Sequence, residues 1–177
     1  MFWPLQFLSR ETDISQARIL TFGYNSNFKP GTSKTKISIL DFAKDLLYDL
    51  RYAQDESDKG LEDLQMGQKP IIFVAHSMGG ILIKETLQKL NEQFRHVAPK
   101  LQIVSFYETR PTPLIKKTQI MVLEKDSSVL GYPGEVSKPL DADHHGVCKY
   151  YSTEDPRYIT VRNVLKSLIG KAEPTGK

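Results

Sequence analysis

The chain has 177 residues, 40% apolar and 25% charged, with a net charge of +3. This is ordinary globular composition and suits one domain around one hydrophobic core, expected over residues 3–169 with a disordered tail at 170–177. Basic and acidic residues are interspersed, which excludes a nucleic-acid-binding stripe. The single cysteine, Cys148, excludes an intrachain disulfide and fits a reducing, intracellular compartment.

In chain order, the first eight residues lack the basic region and apolar core of a signal peptide, and no apolar run approaches the ~20 residues of a membrane span. Residues 18–24 read as a buried strand ending at Gly23, and residues 25–36, with Pro30 and Gly31, as a loop. Residues 38–54 read as a helix. Ile39, Phe42, Ala43, Leu46, Leu47, Leu50 and Ala53 recur at helical spacing, and Ser38 with Asp41 resembles a capping box. A charged stretch, 55–69, leads into an apolar run, 71–75. A second helix is expected over 79–94, a strand over 101–107, a loop broken by Pro111 and Pro113, and a strand over 117–123. Residues 127–145, with Gly131, Pro133, Gly134 and Pro139, read mostly as loop, and 156–169 as a last helix with Val161, Val164, Leu165, Leu168 and Ile169 inward. Strands alternating with helices, several of them apolar throughout, indicate an α/β fold with a mostly parallel sheet covered on both faces.

The most specific local signal is A-H-S-M-G, residues 75–79. A buried strand, a serine at the tip of a tight turn, Gly79-Gly80 and then helix-period apolar residues form the layout of a nucleophile elbow, with Ala75 in place of the first glycine. The plainer reading is a Gly-Gly turn in which Ser77 only caps the helix. A serine hydroxyl needs a base within hydrogen-bond reach, and the base needs an acid to orient it. His76 adjoins the serine and cannot fold back onto it, and His96 ends a helix. Asp143-His144-His145-Gly146 lies in a loop after the last expected strand, where such a base belongs. No ligand set surrounds the two histidines, so neither a metal nor any other cofactor is expected. Glu108, Glu124 and Asp126 each follow a strand and are all candidates for the acid; spacing does not separate them.

Five blocks carry a family resemblance: A-R-I-L-T-F-G-Y-N-S (17–26), F-V-A-H-S-M-G-G-I-L-I-K (73–84), I-V-S-F-Y-E-T-R-P-T (103–112), S-S-V-L-G-Y-P-G-E (127–135) and D-A-D-H-H-G-V-C-K (141–149). Together the chain resembles the lipase-like serine esterases related to the serine-active-site-containing protein, a group that in fungi often heads NACHT or repeat-containing proteins. The resemblance implies an α/β-hydrolase-like fold and hydrolysis of carboxylic esters of an ester or lipid-like small molecule. It implies Ser77 as nucleophile, Glu108 as acid and His144, not His145, as base, since the family's histidine stands four residues before the cysteine. The N–H of Met78 then serves the oxyanion hole. By the same resemblance, peripheral membrane association at the endoplasmic reticulum or mitochondrion is expected. The sequence sets no oligomeric state. Two family segments have no counterpart here: an upstream strand ending in His-Gly, and a central stretch with a T-P-H-x-G turn. The expected fold is therefore a reduced one. Its alternative function is that of a non-catalytic, degenerate hydrolase module for signalling or protein interaction.

Overall fold

The structure, a computed structural model, describes residues 2–24, 38–52, 54–57, 60–63, 70–90, 101–113, 119–120 and 134–172. Its contacts divide the chain into two compact units: Leu20–Arg95, and Met1–Ile19 together with His96–Lys177.

In the first of these, helix α2 (Ile39–Tyr52) starts where the sequence pattern places it. The Ser38 N–H donates to Asp41 Oδ2 at 2.8 Å and the Asp41 N–H to Ser38 Oγ at 3.3 Å, a reciprocal cap. Its apolar stripe buries Ala43 and Leu46 against Leu82 of helix α3 (Met78–Leu90), with Phe22, Tyr24, Phe42, Leu50 and Ile83 packed around them. The Tyr24 and Phe42 rings lie 5.2 Å apart. Thr86, fully buried on α3, meets its polar need locally: its hydroxyl donates to the Leu82 carbonyl at 2.8 Å.

The charged stretch expected to be a connector instead forms an antiparallel hairpin of β1 (Gln54–Ser57) and β2 (Gly60–Asp63). The register pairs Ser57 with Gly60 and leaves two residues between the strands, the commonest hairpin spacing. The expected strands at 18–24 and 71–75 carry no ladder pairing among the described residues. Nor is the second run buried: Ile71 is 41% and Val74 62% exposed.

The other unit opens with the short helix α1 (Trp3–Phe7). It contains a parallel pair, β3 (Val104–Glu108) and β6 (Val136–Leu140), and a small antiparallel pair, β4 (Thr112–Pro113) and β5 (Gln119–Ile120). Strand β6 lies inside the stretch expected to be loop. Pro139 hides it from a propensity reading, but a strand at a sheet edge tolerates a residue without an N–H. Its first four residues are exposed. The described sheets are thus three separate pairs, one of them parallel, rather than one parallel sheet covered on both faces. Helix α4 (Pro156–Ala172) buries Tyr158, Val161 and Leu165. Pro156 opens it, and the preceding Asp155 caps it by accepting the Arg157 N–H at 2.9 Å. Trp3 stacks edge-on to Tyr150 at 4.9 Å, and Phe7 to Tyr158 at 5.2 Å. Among the described residues, four α-helices and a small parallel strand pair are compatible with a reduced α/β fold.

Candidate functional site

Ser77 has φ +54°, the one non-glycine residue in the left-handed region among those described. For a serine that conformation stores roughly 1–3 kcal/mol of strain, which the surrounding structure must hold in place. Two turn bonds do so: the Gly79 N–H donates to His76 O and the Gly80 N–H to Ser77 O, both at 2.9 Å. Helix α3 begins at the next residue, Met78, whose N–H is among the amides that a helix's own ladder leaves unpaired. The turn at Ser77 is only loosely packed around its glycines. A methyl at Gly79 would stand 3.6 Å from the Ala75 Cβ, ordinary contact, and one at Gly80 would meet nothing within 4 Å. Ser77 itself is exposed.

In the other unit, Glu108 is the last residue of β3 and lies in register with Leu140, the last residue of β6. The chain leaving β6 turns back over Glu108. The N–H groups of Thr109 and Arg110 both donate to the Ala142 carbonyl, at 3.1 and 3.0 Å, and Arg110 pairs with Asp141 through two hydrogen bonds. These ties bring Nδ1 of His144 to 2.8 Å from Oε2 of Glu108. The Glu108 side chain is 2% exposed and that of His144 10%. A buried carboxylate needs a hydrogen-bonding partner, and the imidazole is one. An ionised carboxylate only accepts, so the ring donates through Nδ1–H, and in the neutral imidazole the lone pair lies on Nε2. A carboxylate-oriented imidazole of this kind can hold and move a proton at Nε2.

The turn after His144 is closed by Asp143, whose Oδ1 accepts the Gly146 N–H at 2.7 Å, and by Arg157, whose Nη1 donates to the Gly146 carbonyl at 3.2 Å. A methyl at 146 would stand 3.1 Å from that Oδ1 and 3.4 Å from the Ala142 Cβ, so a larger residue would require the Asp143 carboxylate to shift by a few tenths of an ångström. Beyond it the Trp3 indole N–H donates to the Cys148 carbonyl at 2.9 Å and the Tyr150 hydroxyl to the Val147 carbonyl at 2.8 Å. Burial pushes the Cys148 thiol and the Tyr150 hydroxyl above their ordinary pKa values.

Of the residues singled out in the sequence, the structure joins Glu108 and His144 and gives Ser77 an unusual backbone. His145 is exposed, its ring 5.8 Å from that of His144. Glu124, Asp126 and His96 lie outside the described residues. Thr112 was missed: its hydroxyl oxygen accepts the His144 N–H at 3.1 Å. It stands four residues past the acid in a Pro-flanked segment, and nothing local marks it. Among the described residues no cluster of His, Cys, Asp or Glu could hold a metal, and no helix is long and apolar enough to cross a membrane.

An oriented imidazole–carboxylate pair at the carboxyl ends of parallel strands is the kind of site α/β folds build. The chain is similar to Protein SERAC1 of Danio rerio, with 24% identity over 207 residues covering 83% of this chain. It spans 30% of the length of that curated relative. The 207 aligned residues exceed what 83% of 177 supplies, so within the matched region the relative carries residues that have no counterpart here. No protein-family profile matches the chain, and no solved structure does.

Proposed function

We propose that the chain is a serine hydrolase acting on carboxylic esters, in one α/β-hydrolase-like domain. Ser77 attacks the ester carbonyl while His144 takes its proton, and Glu108 orients the ring and stabilises the imidazolium. The Met78 N–H donates to the oxyanion. His144 then returns the proton to the departing alcohol, and water, activated by the same imidazole, releases the acid and restores Ser77. The observation that carries this reading is the buried hydrogen bond between Glu108 and His144. The left-handed Ser77 at the mouth of α3 and the distant similarity support it. Ile71, Val74 and Ile81, exposed within six residues of Ser77 along the chain, suit an apolar acyl group, hence an ester or lipid-like substrate. An intracellular place with peripheral association at the endoplasmic reticulum or mitochondrion rests on the family resemblance.

The direct test is covalent labelling by a fluorophosphonate probe. Labelling of the full chain that disappears in Ser77→Ala is expected; equal labelling of both, or of neither, rejects the reading.

Two observations favour a second reading, a non-catalytic module descended from a hydrolase. The run before Ser77 leaves Ile71 and Val74 exposed and is without ladder pairing among the described residues, and the relative carries residues that this chain lacks. If inserting the relative's extra residues produces labelling where this chain stays inert, the second reading holds.

A further inference from the structure

The geometry points to Thr112 as a positioning residue that fixes where His144 stands; the inference rests on the reading of His144 as the base. Thr112 is 2% exposed, and its hydroxyl oxygen accepts the His144 main-chain N–H at 3.1 Å. That bond fixes the backbone of the residue, while the Glu108 bond fixes its ring. Backbone and ring are therefore held from two points of the same segment, four residues apart. The other ties act on neighbours: Thr109 and Arg110 on Ala142, Asp143 and Arg157 on Gly146. Thr112 holds His144 itself, through its main-chain N–H. Because β4 pairs with β5, the hydroxyl is carried on a hydrogen-bonded strand rather than a free loop. An imidazole that must meet a hydroxyl within a few tenths of an ångström loses rate when its backbone drifts, and the loss falls on turnover more than on substrate binding.

The test uses the full chain with Thr112→Val, which keeps the shape and deletes the acceptor, and Thr112→Ser, which keeps the acceptor. Thr112→Ala is measured alongside in case valine is not accommodated. The readouts are kcat and KM for a short-chain nitrophenyl ester, and the low-field proton resonance of the His144 ring N–H that faces Glu108. Thr112→Val is expected to lower kcat about tenfold with KM changed less than about twofold, to shift or broaden the ring resonance, and to be rescued in both by serine. Unchanged kcat and resonance in both valine and alanine variants overturns the inference. So does a loss that accompanies unfolding in every variant, serine included. Should the parent chain neither label nor hydrolyse esters, the functional reading fails, while the resonance of Thr112→Val against the parent still decides whether Thr112 positions the ring.

Discussion

The unit formed by Met1–Ile19 and His96–Lys177 buries apolar side chains such as Phe7, Leu140, Tyr158, Val161 and Leu165 and adds polar cross-links between distant parts of the chain. The unit Leu20–Arg95 relies on a small apolar contact between two helices. In the former, Glu11 accepts from Lys166 at 2.9 Å and from Arg162 at 3.4 Å, Trp3 reaches Cys148, and Glu108 reaches His144. In the latter, Ala43, Leu46 and Leu82 form the buried centre, while Ile71, Val74 and Ile81 stay exposed. The difference shows where each part is vulnerable. Long-range polar ties hold individual atoms in place but fail when one partner is removed. A small apolar centre tolerates polar changes at its margin and fails through cavities.

The largest expected effects concern chemistry. Ser77→Ala or His144→Ala should each lower kcat by about 10^6, and Glu108→Gln by about 10^4. The double variant Ser77→Ala/His144→Ala should be no worse than either single one, because both act on the same proton. Ester hydrolysis under saturating substrate measures this; additive losses would break the idea of a shared proton. Next in size is Leu82→Ala, expected to destabilise by about 3 kcal/mol through the cavity it leaves beside Ala43 and Leu46. Val74→Thr should stay within about 0.5 kcal/mol, since its side chain is already in water. Urea denaturation followed by circular dichroism compares the two, and a costly Val74→Thr would show that the apolar run has a partner in solution. Ser38→Ala should cost about 1 kcal/mol by opening the cap of α2.

The smallest effect is a pH dependence. Lys166 donating to Glu11, with Arg162 nearby, holds the Glu11 carboxyl below its ordinary value of 4.5. A lowered folded-state value stabilises fully above the unfolded one, and the contribution is lost as pH falls through the folded one. Glu11→Gln should therefore flatten the acid side of the stability curve slightly, and denaturation at a series of pH values below 5 reads it. An unchanged slope would mean that salt and water screen the pairing.

Much of the local structure was legible because it depends on neighbours in sequence. The stripe and capping box of α2, the proline start of α4 and the turn at Ser77 are each set within a few residues. The hairpin at 54–63 and strand β6 escaped notice because their side chains are charged or interrupted by Pro139. What makes them strands is pairing with a partner, Gly60 for Ser57 and Tyr107 for Pro139. The carboxyl partner of His144 was open on spacing alone. Three acids followed strands, and only the family resemblance favoured Glu108.

The order of residues by itself settled helices α2, α3 and α4, the cap of α2 and the serine's tight corner, since hydrogen bonds and steric limits over one or two turns suffice for those; it did not show α1. Only the tertiary structure decided that a carboxylate 36 positions upstream would meet His144, and that Thr112 would hold its backbone. Such meetings depend on the register of β3 against β6 and on the path of the chain beyond, which no local propensity encodes.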